Sequence, residues 1–457
     1  MHFVRYTGEP RDEDVAYARA LNDPDTHVLD PWSTADENIE AHFMLGSRLA
    51  TVDLPPHARD LFDLAAMVYI ADEIVPRDSA DDRWTRALSF TVPVADLHRW
   101  IAAEKVLNEC LSFLSGDMYA FEWIARPANV PGGTIHRNNL GGQYDAVCLF
   151  SGGVDSLLGA VALLDAGKRV LLVGHYADGV TSSAQRDLYA LLERKYPGRA
   201  TLLQANVERS RKRSQRFQLP DKVEITHRSR SFLFLAAGTV AALATGTTRL
   251  YIPENGLIAL NAPLGPSRRG TLSTRTAHPR YIDLFNQLLA ALGFVVHVEN
   301  PFWDQSKTDM LRSVTDPEIL TALLRSVSCA HAGYLRWEAE KGVTHCGYCV
   351  PCLYRRVGFL AAGVDEPGYL SNVFTELPQM SEDTARDFRL LVRFALAILH
   401  GRNVDVIAAV LRHGGFSGGA SGDAYTARGE MLKRWASSFV DLARARSNQA
   451  TRRIVGL

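Results

Sequence analysis

The sequence predicts a three-part α/β protein: an N-terminal α+β unit over residues 1–140, a parallel sheet with helices on both faces over 144–365, and a helical region over 366–457. Three observations lead there. Strand-like and helical stretches alternate regularly from Tyr144 onward. Those strands do not alternate apolar with polar residues, which argues a parallel sheet covered on both faces. At 457 residues the chain exceeds one ordinary domain and can bury more than one core.

In chain order, the first part opens on the strand-like HFVRY and continues with helical patterns at DLFDLAAMVYIADEIV and LHRWIAAEKVLNECLSFL, on either side of a second strand, ALSFTVPV. It closes with MYAFEWIARP, whose aromatics suit a planar base but are expected in a core strand. The turn-rich RPANVPGGTIHRNNLGGQ follows as a linker. Central strands are expected at DAVCLF, RVLLVGHY, TLLQANV, RLYIPEN and FVVHVEN, with helices that include RSFLFLAAGTVAALAT and PRYIDLFNQLLAALG. Ligands of such sheets bind at the carboxyl ends of the strands. The last part reads as helices DTARDFRLLVRFALAILHG, NVDVIAAVLRHGG and ARGEMLKRWASSFVDLARARS, broken by GGFSGGASGD.

Charge narrows the partners. Lys+Arg 50 against Asp+Glu 51 leaves a net charge of -1, so no global field draws the chain onto nucleic acid or anionic lipid. The start has no apolar signal core, and the longest apolar run, Phe232 to Thr245, is shorter than the roughly 18 residues of a membrane span. A soluble cytoplasmic protein is expected. Six cysteines do not make a disulfide scaffold; four cluster at Cys329, Cys346, Cys349 and Cys352, which suggests metal. Cys110 and Cys148 lie in apolar segments and are expected as small buried side chains.

The first central strand runs into SGGVDS and then into a helix whose buried face is Leu157, Leu158, Val161 and Leu164. Gly152 and Gly153 let backbone N–H groups turn inward where a side chain would collide, and the helix N-terminus adds positive potential. The turn suits phosphate. The pattern G-x-x-x-x-G-K-[ST] is absent, and no lysine follows the glycines. Ser151 and Ser156 offer short hydroxyl donors instead, and Asp155 can hold Mg²⁺ between phosphates. The competing reading is a tight strand-to-helix turn with Ser and Asp as caps, but the six-residue string is more specific than a glycine pair.

FSGGVDSLLGA resembles the signature of the PP-loop ATP pyrophosphatases, which have a HUP-like, adenine nucleotide α-hydrolase-like fold and split ATP between the α- and β-phosphates. The resemblance implies that Ser151, Gly152, Gly153, Asp155 and Ser156 hold the departing pyrophosphate while a substrate oxygen attacks the α-phosphorus. Such chemistry relies on positioning and charge neutralisation. The loop alone does not choose among GMP synthetases, NAD synthetases, asparagine synthetases, tRNA thiolation enzymes and deazaguanine synthases.

The choice comes from SCAHAGYLRWEAEKGVTHCGYCVPCLYRR. Its spacing, C-x16-C-x2-C-x2-C, supplies four thiolates that can close a tetrahedral site with no open position, so the metal should brace the fold. Zinc is expected, with an iron–sulfur cluster as the competitor. His345, beside Cys346, is expected to be a bystander.

Placed after this sheet, the pattern resembles that of the QueC-type 7-cyano-7-deazaguanine synthases. RSRSFLFLAA is similar to that family's Arg-Asn-x-x-Phe-Leu helix start, with Arg230 and Ser231 at the first two positions. WDQSKTDML is similar to its Thr-Lys-x-acidic segment, with Lys307 near the phosphates. The resemblance implies catalytic roles for Asp155, Ser156 and Lys307, a nucleotide contact from Arg230, and ATP, Mg²⁺ and Zn²⁺ as cofactors. It also implies the reaction: a 7-carboxy-7-deazaguanine carboxylate is adenylated, ammonia displaces AMP, and a second adenylation dehydrates the amide to the nitrile, preQ0.

The chain departs from the family in its two added regions, in the long spacing after Cys329, in Ser231, and in NAPLGPSRRGTLSTRTAHP, which does not reproduce the usual base-site region. With those additions it is similar to the long QueC-like proteins of bacterial anti-phage systems, the Qat-type and type IV CBASS-type operons. That resemblance implies joining of the activated carboxyl to an amine of a partner protein. A macromolecular acceptor must be docked, whereas ammonia need only diffuse in. Two other readings stay open: a tRNA-modifying sulfurtransferase with an iron–sulfur cluster, and a non-catalytic nucleotide-binding scaffold. ERSRKRSQRFQLPDK fits a lid over triphosphate, an RNA patch or a solvated loop. STRTAHPRY, with Arg275, His278 and Arg280, fits an anionic substrate or a helix cap with surface charges.

Overall fold

The structure, a computed structural model, describes residues 1–5, 23, 25–30, 37–45, 48–49, 55–126, 143–175, 179–211, 217–221, 223–224, 226–261, 275–332, 335, 345–364, 368–401, 408 and 422–457. The N-terminal part comprises β1 (His2–Arg5), β2 (Thr26–Leu29), β3 (Ile39–Leu45), β4 (Arg48–Leu49), α1 (Pro56–Ile74), β5 (Ala87–Val94), α2 (Leu97–Ser115) and β6 (Met118–Ala125). Pro56 opens α1, where a missing N–H leaves no bond unmade. The Asp96 side chain caps α2 by accepting from Arg99 N, and Gly116, left-handed, ends it.

Strands β2-β1-β5-β6 form a four-stranded parallel sheet, with β6 at its edge. The expectation of a core strand at MYAFEWIARP is corrected here: along β6 exposed residues alternate with half-buried ones. Tyr119, Phe121 and Trp123 fall on one face, where Trp123 stacks on Trp100 of α2 at 5.0 Å and donates to Glu104 at 2.8 Å. The alternation with Ala120 and Glu122 has the period of a half-buried strand.

The central part follows as β7 (Ala146–Leu149), α3 (Val154–Asp165), β8 (Val170–His175), α4 (Gly179–Lys195), β9 (Ala200–Arg209), α5 (Arg230–Thr245), β10 (Arg249–Tyr251), α6 (Gly256–Leu260), α7 (Pro279–Ala291), β11 (His297–Glu299), α8 (Lys307–Arg312), α9 (Pro317–Leu323) and α10 (Val350–Ala361). The five expected strands are all present and parallel, in the order β11-β10-β7-β8-β9. The order reverses beside β7, which opens a crevice at its carboxyl end. β8 is buried along its whole length, which explains its unbroken apolar run. One core joins α5 and α7 to a face of this sheet and continues into α1, α2 and β5; another joins α3, α4, α8 and α9 to the opposite face.

The N-terminal part reaches into the central sheet. β3 pairs antiparallel with β9, and β4 with β3, extending the sheet to seven strands. A buried four-charge cluster adds a second tie. Arg77 and Arg86 both bind Asp117, at 3.0 Å and 2.7 Å, and Arg86 also binds Asp72 at 2.5 Å. Asp72 then accepts from the N–H and hydroxyl of Ser229, at 2.7 Å and 2.8 Å, just before α5. All four charged side chains are nearly inaccessible, so each depends on its partners.

The C-terminal part contains α11 (Val373–Glu376), α12 (Glu382–His400), α13 (Gly422–Arg446) and α14 (Gln449–Val455). Phe388, Trp435 and Phe439 centre a core shared with α6 and α10. The helix expected at NVDVIAAVLRHGG lies outside the described residues apart from helical Ala408. Among the described residues no helix is long and apolar enough to cross a membrane.

Candidate active site and metal centre

SGGVDS turns the chain from β7 into α3 at the crevice. Gly152 has φ 81°, the left-handed region that a side chain resists. Ser156 Oγ accepts from Gly153 N at 3.2 Å and donates to Gly153 O at 3.0 Å, while the exposed Ser151 donates to it at 3.3 Å. The two hydroxyls and the free end of α3 therefore share one corner, as anion binding at a helix N-terminus requires.

Asp155 lies just inside that corner, and the fold brings three residues from distant segments to it. Lys307 Nζ, at the first position of α8, donates to Oδ1 at 2.5 Å. Asn255 donates to Oδ2 through its backbone N at 3.0 Å and its Nδ2 at 2.6 Å. Glu254 is the third neighbour. Burial pushes the Asp155 carboxyl up, but Lys307 and hydrogen bonds from Glu254, Lys307 and Asn255 outweigh it and hold the group at about 2. Burial and then the Asp155 charge push Glu254 well above the usual carboxyl range, so Glu254 keeps the proton it shares with Asp155. Asp155 is thus the ionised carboxylate of the cluster, beside a phosphate-type turn, with the oxygen chemistry that a hard divalent cation prefers.

The four cysteines lie in one cluster. Cys346 Sγ and Cys352 Sγ lie 3.8 Å apart. Four sulfurs bound tetrahedrally at about 2.3 Å from one ion are themselves about 3.8 Å apart. The ligand atoms of Cys329, His331, Cys346 and Cys349 fall within 4.8 Å of one another. Hydrogen bonds from Cys329, Cys349 and Cys352 hold the Cys346 thiol far below its ordinary value, giving the thiolate character that metal capture needs. His331, 3.5 Å from Cys346 Sγ through Nδ1, is a further candidate ligand or thiolate partner. His345 accepts from Ser328 N through Nε2 at 3.4 Å, which fits a bystander role.

Comparison with known proteins adds a relative to this geometry. No family model matches the chain. The 7-cyano-7-deazaguanine synthase of Methanothrix thermoacetophila is 28% identical over 242 residues, which are 49% of this chain and 96% of the relative. The chain is QueC-like.

In this QueC-like chain the sulfur cluster and the turn are neighbours. Val327 N donates to Gly152 O at 3.0 Å, two residues before Cys329. The fully buried Arg355 pins the same segment through Ser326 Oγ and Leu323 O, both at 2.8 Å. A cavity of about 240 Å³ opens between the turn and the cluster, with Ser151, His175, Gln185, Arg230, Phe234 and Cys329 in its wall. Arg230 starts α5, is exposed at the cavity, and lies 5.8 Å from the Phe234 ring. Ser231 faces away from solvent and donates to Thr276 at 2.8 Å.

Sequence reasoning missed Glu254, Asn255, His331, His175 and Gln185. RLYIPEN was read as strand throughout, but β10 stops at Tyr251, which leaves Glu254 and Asn255 in the loop at its carboxyl end. That position was the available signal. STRTAHPRY resolves as a cap: His278 Nδ1 accepts from Arg280 N at 3.2 Å, and Arg275 donates to Phe113 O at 2.6 Å. Of ERSRKRSQRFQLPDK, Glu208 and Arg209 end β9, and residues 212–216 and 222 lie outside the described residues. So do residues 262–274, most of the segment where base recognition was sought.

Proposed function

We propose that the chain is an ATP-dependent C–N ligase, forming AMP and pyrophosphate, that adenylates the carboxylate of a 7-carboxy-7-deazaguanine-type base for attack by an amine. The amine is ammonia or an amine of a partner protein, and the setting is bacterial anti-phage defence. The observation that carries this reading is the Asp155 cluster at the foot of SGGVDS, beside an apolar-walled cavity, in a QueC-like chain. Ser151, Gly152, Gly153 and Ser156 would hold the departing pyrophosphate through hydroxyls and backbone N–H groups. Lys307 would neutralise charge as the α–β bond breaks, and Arg230 would hold an anionic group at the cavity mouth. Mg²⁺, held by Asp155, would add charge between the phosphates.

Cys329, Cys346, Cys349 and Cys352 would hold Zn²⁺ as a brace for the Val327–Gly152 contact. Sulfurs as close as those of Cys346 and Cys352 favour a single ion. On this reading residues 144–365 are the ligase unit, 1–140 an accessory unit and 366–457 a helical region. The relative accounts for about half of the chain, and the remainder gives surface that a protein acceptor needs and ammonia does not.

The test is incubation with Mg-ATP, 7-carboxy-7-deazaguanine and ammonia, following AMP and nucleobase masses, with Asp155→Ala as control. AMP with an amide or nitrile, lost in the control, supports the reading. Absence of AMP overturns it and moves weight to sulfur transfer or a nucleotide-binding scaffold.

A further inference from the structure

A second cavity, of about 460 Å³, lies where α1 meets the carboxyl end of β9 and the segment leading into α5. Tyr69 and Glu73 of α1, Glu208 and Arg209 of β9, and His227 contribute to its wall. Tyr69 is only 7% exposed, yet its hydroxyl makes no hydrogen bond among the described residues. Its ring separates this cavity from the one beside SGGVDS: it meets His175 of the first cavity at 5.5 Å and His227 of the second at 5.8 Å.

The polar groups of this cavity are set to receive a cation that carries N–H donors. The buried Nδ1 of His227 has no hydrogen-bond partner among the described residues. The His227 backbone sits at φ 43°, a conformation that a residue with a side chain keeps only where its surroundings impose it. Asn206 occupies one oxygen of Glu208 at 3.1 Å, which leaves the carboxylate capacity to accept more. Arg209 is directed to Pro220 O at 2.6 Å, and Arg211 is exposed at the rim. Burial raises the Glu73 carboxyl, which makes it a better proton acceptor than an exposed glutamate.

We propose that this second cavity binds the amine that takes the activated carboxyl group, between the carboxylates of Glu73 and Glu208, the Tyr69 hydroxyl and the His227 imidazole. The inference rests on the adenylation reading above. A primary amine enters as its ammonium form and must lose a proton to become a nucleophile; Glu73 takes it. Freed of that proton, the neutral amine passes the Tyr69 ring into the first cavity, where its nitrogen forms a bond to the carbonyl carbon of the adenylate, the bond from that carbon to the phosphate oxygen breaks, and AMP leaves with the electron pair. The second amine proton is lost to water from the adduct, so two protons are released for each amide formed. β9 lies two strands from β7, about 10 Å at roughly 4.8 Å per strand. An amine held there approaches the adenylate from the side opposite α3, without crossing the pyrophosphate site.

Two measurements separate the halves of the reaction. Exchange of labelled pyrophosphate into ATP, with 7-carboxy-7-deazaguanine and no amine, reports adenylation alone. AMP release against ammonium or methylamine concentration reports amine capture. Tyr69→Phe, which removes one oxygen, and Glu73→Gln should keep exchange and melting temperature while raising the half-saturating amine concentration tenfold or more. Unchanged amine dependence in both variants, with exchange intact, overturns the inference, as does loss of exchange in a variant that melts like the wild type. Absence of exchange in the wild type overturns the adenylation reading itself, a distinguishable failure.

Discussion

Lys307 Nζ lies 2.5 Å from Asp155 Oδ1, and both side chains are more than nine-tenths buried. A buried pair of this kind adds little net stability, because each ion loses its water, but removing one partner strands the other. Lys307→Met should therefore lower the melting temperature, whereas Asp155→Asn, which keeps a polar group for Asn255, should lower it less. Both should reduce AMP formation by about 10²–10³, the scale of a lost preorganised charge. Thermal melts and AMP assays on the two variants decide this. Equal activity in Lys307→Met and the wild type would remove Lys307 from the site.

Glu254 gives a pH signature of defined sign. Its folded-state carboxyl titrates well above its ordinary 4.5, so its contribution to stability is complete below 4.5 and is lost as pH rises through the folded value. Asp155 behaves oppositely: its contribution is present above 3.8 and is lost as pH falls toward about 2. Glu254→Gln keeps a hydrogen-bond donor to Asp155 but cannot ionise. Its melting temperature relative to the wild type should climb from pH 4.5 to 8, even as AMP formation falls. A flat difference across that range would show that Glu254 is not held protonated.

The parts of this site that were legible in the sequence are those in which adjacent residues do the work. Gly152, Gly153 and the two serines act through one turn, and three of the four cysteines sit within seven residues, 346–352, so spacing alone places them. The apolar runs of β7 and β8 were readable for the same reason. Glu254 and His331 were not, because their meaning depends on Asp155, 99 residues before Glu254, and on Cys346, 15 residues after His331, and only folding supplies those neighbours. β3 escaped notice because Glu40 and His42 break its apolar pattern; a strand half open to solvent, covered by β4 only at Met44 and Leu45, tolerates them.

Metal removal has a consequence beyond the cysteines. The purified chain should carry one zinc and no colour, and Cys346→Ser should lose the metal because it removes a sulfur that lies 3.8 Å from Cys352 Sγ at the centre of the cluster. Chelation should lower the melting temperature and also weaken ATP binding, since the cluster segment bonds to Gly152 through Val327. His331→Ala should retain zinc if His331 only hydrogen-bonds the Cys346 sulfur, and lose it if the imidazole is a ligand. Metal analysis and absorbance decide; iron with a brown colour would replace zinc.

Gly159 offers a test of how the loop after β10 reaches Asp155. It lies inside α3, where glycine costs about 0.5–1 kcal/mol relative to alanine, and a Cβ there would collide with the Pro253 ring. The bare backbone lets the β10–α6 link lie against α3, and Glu254 and Asn255 follow Pro253 directly. Gly159→Ala should therefore lose stability despite its better helix propensity, and AMP formation should fall because Asn255 no longer meets Asp155. Gly179→Ala is the control: it starts α4 with open space around its Cα and should melt no lower than the wild type. Wild-type activity in Gly159→Ala would mean that the loop can retreat without moving Asn255, and that the close approach to α3 does not set the Asp155 cluster.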